Sequence, residues 1–270
     1  MNSLPSGRQD KYGNDYVKKN KTLKYAQSLL QKKYRKLNGE YLAEGLRTVT
    51  DMMATGLVTT IFVREDIDYQ KIVKEAEQLH IKVWQVQRNL MSHIESTVTG
   101  QGIVAIVKKE VQDISTLKVS DGLYVILDEI QDPGNLGTII RTAVAAGVKG
   151  LFLTKGSTDP YNEKTVRSTM SAITKIPIFE NVSTEDVKRL MADSELTAYA
   201  TALHDALPIQ EVKFAKQTLL LLGNEANGLS DDWFEVAKHR ITIPMYGPIE
   251  SLNLAVASAL CMYAVRESWL

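Results

Sequence analysis

Four leucines in succession, Leu219 to Leu222, leave no face of a β-strand for water. A strand of that kind is covered on both sides, which places it in a largely parallel sheet flanked by helices. Its surroundings follow the same plan. Strands are expected at Leu123–Leu127, Leu151–Thr154, Ile176–Phe179, Thr197–Ala202 and Arg240–Ile243, with helices over 135–147, 162–172, 184–192 and 251–267 between and after them.

Upstream the alternation is looser. Ala26, Leu29, Leu30, Tyr34 and Leu37 fall near helical spacing among lysines and predict an amphipathic basic helix. Strands at Tyr41–Ala43, Val58–Val63, Ile81–Val86 and Ile103–Val107 follow, with helices over 44–55 and 68–79. The polar stretch 109–121 (KEVQDISTLKVSD) separates the two patterns. The expected fold class is therefore α/β: a smaller α/β domain over 16–112, then a domain with a largely parallel sheet over 120–270. Residues 1–15 are polar, contain Pro5, Gly7 and Gly13, and are expected to form a loose arm.

Charge narrows the function. The 32 basic and 32 acidic side chains cancel, so no net field draws the chain to a polyanion. Their distribution is uneven, because residues 1–115 hold 18 basic and 13 acidic groups. Residues 16–39 carry eight positive charges and no acid, marking the first domain as a candidate polyanion binder. The four histidines are scattered without metal-ligand spacing, so no metal is expected. The single cysteine, Cys261, excludes an intramolecular disulfide framework and fits a reducing compartment. No apolar run reaches the roughly 18 residues of a membrane span, and the N-terminus lacks a hydrophobic signal core. The expectation is a cytoplasmic protein without membrane contact.

Three segments in the second domain end a strand in a turn rich in Gly and Asn, where ligands sit in open α/β sheets. In the first, 132–148, Asn135 is placed to cap a helix whose apolar stripe is Leu136, Ile139, Ile140, Ala143 and Val144, and Arg141 lies off that stripe, free to meet an anion. In the second, 221–230, Gly223 permits close approach of a ligand to the backbone and Glu225 is an acid just past a buried strand. In the third, 243–254, Ser251 or Asn253 caps the last helix, and capping does not account for both. The phosphate loop G-x-x-x-x-G-K-[ST] fails because Leu229 follows Gly228, and the dinucleotide fingerprint G-x-G-x-x-G is absent after the first strand.

In this order and spacing, DPGNLGTIIRTAVAAGV (132–148), LLGNEANGLS (221–230) and IPMYGPIESLNLAVASAL (243–260) resemble the three motifs of the SpoU/TrmH family of RNA ribose 2′-O-methyltransferases. DPYNEKTVRSTMSA (159–172) also looks like that family, and KKYRKLNGEYLAEGLRTV (32–49) is similar to its small substrate-binding domain. The resemblance spans roughly 17–268. It implies a C-terminal trefoil knot, S-adenosylmethionine as cofactor, and a homodimer with active sites near the interface. By position, it implies Asn135, Arg141, Glu225, Ser251 and Asn253 as catalytic candidates. Leu203, Gly223, Asn224, Ile243, Met245 and Leu252 are the implied cofactor contacts. Three positions depart from the family pattern: Val144, Ser171 and Ala226.

Methyl transfer to a ribose hydroxyl needs a proton acceptor and alignment of oxygen, carbon and sulfur. No histidine lies in the three motifs, and a guanidinium stays protonated in proteins. Arg141 is therefore expected to clamp the phosphate beside the target ribose, with that phosphate or a water taking the proton. Lys32, Lys33, Arg35, Lys36 and Arg47 are the candidate RNA contacts of the first domain. The resemblance favours ribosomal RNA as partner. Transfer RNA, or a non-catalytic RNA-binding assembly factor with the same fold, are the alternatives.

Overall fold

The computed structural model of the chain describes residues 21–97 and 99–270. The arm expected at 1–15, with Lys18 and Lys19, lies outside the described residues. The chain divides into two compact units after Lys109.

The first unit is built on a four-stranded sheet in the order β1 (Glu40–Glu44), β4 (Ile103–Lys108), β2 (Val58–Arg64), β3 (Lys82–Val86). β4 runs antiparallel to both β1 and β2, and β3 is parallel to β2. Helices α1 (Lys21–Ser28), α2 (Lys32–Asn38), α3 (Leu46–Met53), α4 (Gln70–Gln78) and α5 (Arg88–Met91) accompany it. Leu23, Ala26 and Leu29 pack on Phe62, Leu90, Met91 and Val104 in the core of this unit.

The single basic helix expected through Leu37 does not form. α1 stops at Ser28, and Arg35 of α2 turns back so that its Nη1 donates to the carbonyl oxygens of Leu29 and Leu30, each at 2.8 Å. That bond answers carbonyls which a continuous helix would have satisfied internally. The break rotates the second half of the apolar stripe outward: Leu29 is buried, whereas Leu37 is 73% exposed.

The second unit carries seven parallel strands in the order β7 (Ile178–Val182), β6 (Gly150–Thr154), β5 (Gly122–Leu127), β10 (Gln217–Leu222), β8 (Thr197–Thr201), β11 (His239–Thr242), β9 (Leu207–Pro208). The leucine run lies in β10, at the middle of the sheet, and Leu219 to Leu222 are all buried. Side chains alternate across the sheet. Tyr124, Ile126, Leu219 and Leu221 meet Val187 of α8 (Thr184–Ala192) and Trp233 of α9 (Asp231–Val236) in one core layer. The intervening Leu123, Val125, Leu127, Leu220 and Leu222 point the other way and are equally buried. Residues 110–121 are not a free linker, because Ile114, Leu117 and Val119 pack against that same core. β11, the last strand in sequence, lies between β8 and β9, which precede it in the chain.

Helices α6 (Pro133–Ala145) and α7 (Glu163–Thr169) approach closely at Gly137. A Cβ there would lie 2.4 Å from the Ser168 Cβ and 2.7 Å from the Thr165 carbonyl oxygen. Alanine gains roughly 1 kcal/mol over glycine in helix propensity. Overpacking against backbone costs about 1–3 kcal/mol and outweighs that gain. Gly137→Ala is thus expected to lower the urea midpoint of unfolding; an unchanged or higher midpoint would show that the two helices separate freely. α7 ends with Met170 and Ser171 at φ +50° and +71°. Ser171 thus holds the left-handed conformation that glycine meets without steric cost, which gives a physical reason for a glycine preference at this position.

Candidate active site

All three sequence motifs leave the sheet at the carboxyl ends of neighbouring strands. Asn135 follows β5, Gly223 follows β10, Leu203 follows β8 and Ile243 follows β11, and these four strands are adjacent and parallel. Parallel pairing is what gathers loops whose residues, such as Asn135 and Asn253, lie 118 positions apart.

The first turn of α6 is capped by Asp132, not by Asn135 as the sequence suggested. The Asp132 carboxylate accepts the Asn135 main-chain N–H at 2.7 Å, and Pro133 occupies the first helical position. That N–H, followed by the Lys164 ammonium at 3.1 Å, holds the Asp132 carboxyl below the usual carboxylate range. Asn135, one turn into the helix, has its side chain free for other work. Its Nδ2 donates to Glu225 Oε1 at 2.9 Å, and its Oδ1 accepts from Asn253 Nδ2 at 3.1 Å. Asn253 in turn caps α10 (Leu254–Glu267) through Oδ1, which accepts the N–H groups of Ala255 and Val256. Three of the five catalytic candidates, one from each motif, therefore form a single hydrogen-bonded chain.

The other two stand apart from it. Arg141 is exposed on α6, six residues beyond Asn135, and its guanidinium has no hydrogen-bond or ionic partner among the described residues. Ser251 is exposed two residues before the cap, and its hydroxyl is likewise unengaged among the described residues.

Gly223 is buried, and the close approach it permits is by its own chain. A Cβ at 223 would lie 2.1 Å from Gly228 C and Leu229 N. The 223–230 loop closes on itself there: Asn224 and Gly228 exchange two main-chain hydrogen bonds of 2.9 Å. Asn224 also fastens the loop to the neighbouring strand end, its Nδ2 donating to the Glu129 carbonyl at 2.8 Å.

Half-buried Ile243, Met245 and Leu252 line an apolar cleft of about 650 Å³ with Ile209, Leu260 and Tyr263. Its volume and lining suit a small organic ligand. Leu203 is 68% exposed on the loop after β8. Cys261 is buried on α10, where desolvation pushes its thiol up to about 12, so it offers no thiolate. Among the described residues no group of three or more His, Cys, Asp or Glu is arranged to hold a metal ion, and no helix is long and apolar enough to cross a membrane.

In the first unit, Lys32, Lys33, Lys36 and Arg47 are exposed. Arg35 is withdrawn from solvent into the contact with Leu29 and Leu30. Sequence reasoning did not single out Asp128, Thr154 or Trp233, which join beneath the 223–230 loop. A signal existed for Asp128: it is an acid just past a buried strand, as Glu225 is.

Residues 122–263 match the SpoU rRNA Methylase family, and residues 20–105 match the MRM3-like substrate binding domain. The chain is 32% identical over 249 residues to the 23S rRNA (guanosine(2553)-2'-O)-methyltransferase RlmP of Bacillus subtilis, covering 92% of this chain and 97% of that protein. It is similar in structure to the AdoMet-bound rRNA methyltransferase from Sinorhizobium meliloti, with a TM-score of 0.84, 32% identity, and coverage of 93% of this chain and 96% of that one. The SpoU methyltransferase AviRb from Streptomyces viridochromogenes, solved in complex with AdoMet, gives a TM-score of 0.82 at 28% identity, with 92% and 98% covered.

Proposed function

The chain belongs to the SpoU rRNA methylase family, a family of knotted α/β fold, and from that premise we propose how its own residues carry out methyl transfer from S-adenosylmethionine to a ribose 2′-hydroxyl of ribosomal RNA. The observation that supports the assignment of residues is the chain Asn253–Asn135–Glu225, which ties together side chains from all three motifs.

S-adenosylmethionine supplies a methyl group on a sulfonium centre. The apolar cleft lined by Ile243, Met245 and Leu252 fits it in size and lining, and the turns at Leu203 and at Gly223–Asn224, which follow the neighbouring strands β8 and β10, are assigned to the same cofactor by their place in the motifs. Asn135 is held in one amide orientation by a donor on one side and an acceptor on the other, so it presents a fixed polar edge to the ribose. Glu225 sets that orientation, and Ser251 orients the attacking hydroxyl. Arg141 grips the adjoining phosphate in bidentate fashion, and the phosphate or a water takes the proton. The first unit positions the RNA through the exposed Lys32, Lys33, Lys36 and Arg47. Val256, Leu260 and Tyr263 are each nearly half exposed on α10, and we assign this apolar face to a homodimer whose interface adjoins the cofactor cleft, since Leu260 and Tyr263 also line that cleft. We assign the protein to the cytoplasm, with which its single cysteine, Cys261, is in keeping.

The decisive experiment is transfer of labelled methyl groups to total rRNA and tRNA from a host lacking this protein. Label in rRNA, mapping to a 2′-O-methylated nucleotide, is the expected result. Label confined to tRNA would overturn the substrate, and no transfer to RNA or ribosomal particles would overturn the activity.

The basic patch has its own test. If the lysines meet phosphates, apparent RNA affinity falls steeply with salt, and each lysine removed lowers the log–log slope by about one unit. The Lys32/Lys33/Lys36 triple alanine variant should therefore lose about three units of slope. An unchanged slope removes this face from the RNA interface.

A further inference from the structure

Asp128, the first residue beyond β5, is only 5% exposed. Thr154 Oγ1 at 2.9 Å and Trp233 Nε1 at 3.1 Å donate to its Oδ1. The Ser230 main-chain N–H at 3.1 Å and Oγ at 3.0 Å donate to its Oδ2. No cation pairs with it among the described residues. An indole N–H and a main-chain N–H can only donate, and the Thr154 hydroxyl already accepts the Glu129 N–H at 2.9 Å. A carboxylate answers all of these donors, whereas an amide would set N–H against N–H.

We propose that Asp128 is a positioning residue for methyl transfer, pinning the 223–230 loop so that Glu225 meets Asn135. The loop is fastened at both ends to consecutive residues: Asn224 Nδ2 bonds the Glu129 carbonyl, and Ser230 bonds Asp128. Ser230 stands at the N-cap of α9 yet makes no capping bond, because its hydroxyl is turned to Asp128. Glu225 is exposed on the turn between the two pins. An exposed carboxylate has little packing of its own to fix it, so the placement of the loop decides whether it reaches Asn135.

The inference rests on the proposed role of Glu225, and a double-variant cycle separates it from a general loss of stability. The full chain would be prepared as wild type, Asp128→Asn, Glu225→Ala and the pair. Each would be assayed for kcat and for KM toward RNA at a temperature where circular dichroism shows it folded. Each single substitution is expected to lower kcat by about tenfold or more, and the pair no further than the worse single. KM for RNA should stay within about twofold. Losses that multiply in the pair, or a kcat of Asp128→Asn within about twofold of wild type, would overturn the proposal. If Asp128→Asn does not fold, Ser230→Ala and Trp233→Phe each remove one of its donors and enter the same cycle under the same criteria. A wild type that transfers no methyl group overturns the proposed function and this inference with it. An active wild type with multiplying losses overturns this inference alone.

Discussion

Replacing Arg141 by alanine is expected to lower kcat for methyl transfer by about 100- to 1000-fold, the usual cost of losing one preorganised charge-stabilising group. The same change should leave the melting temperature nearly unaltered. Arg141 is exposed on α6 and its side chain bonds nothing among the described residues, so the folded state loses little, within about 0.5 kcal/mol, when it goes. An arginine without a structural partner among the described residues, on a helix whose first turn carries Asn135, is available for the substrate. Arg141→Lys distinguishes the kind of grip. A lysine keeps the charge and loses the planar fork, so a bidentate clamp predicts a rate well below wild type. Near-normal turnover of the lysine variant would show that charge alone suffices. A fall in melting temperature that matches the fall in rate would mean that Arg141 supports the fold instead.

Gly223→Ala is expected to abolish S-adenosylmethionine binding at concentrations that saturate the wild type, and to destabilise the second unit by about 1–3 kcal/mol. The reason is spatial. The new methyl would sit 2.1 Å from both Gly228 C and Leu229 N, well inside contact distance, and these are main-chain atoms with no rotamer to escape into. The turn must open, and the two main-chain bonds between Asn224 and Gly228 would then be strained or lost. Glu225 lies inside that turn, so its bond to Asn135 should go as well. Isothermal titration with the cofactor, paired with thermal melting, reads both effects. Cofactor affinity within about threefold of wild type would show that the loop tolerates opening and that Gly223 is not a requirement of the site.

The amino-acid pattern made the sheet legible. The leucine run does form the centre of a parallel sheet, because a strand without a polar side has few other places to go. Helix 184–192 agrees residue for residue, since Ser183 and Asp186 form a capping box that marks its start locally. Elsewhere local signals competed, and the structure follows the one that the pattern did not favour. The basic helix through Leu37 breaks because Arg35 reaches back to carbonyls five and six residues earlier. Asn135 looked like a cap because Asn is a good one, but Asp132 stands three residues before it and Pro133 starts the helix. β9 is two residues long and α9 only six, too short for any periodicity to register.

Apolar periodicity and turn chemistry act over a few neighbours, so every strand but β9, the family resemblance and the polar residues at the three turns can be read along the chain. Which of those residues touch is settled by the packing of the sheet. Asn253 meets Asn135 and Asn135 meets Glu225 across 118 and 90 residues of chain, while Arg141, six residues from Asn135, stands outside their hydrogen-bonded chain. Asp128 is read in sequence as one more acid, and it is the order β5–β10 that sets it under Ser230 and Trp233. Hydrogen bonds have a reach of about 3 Å, so they are settled by how distant strands are placed side by side, and not by spacing along the chain.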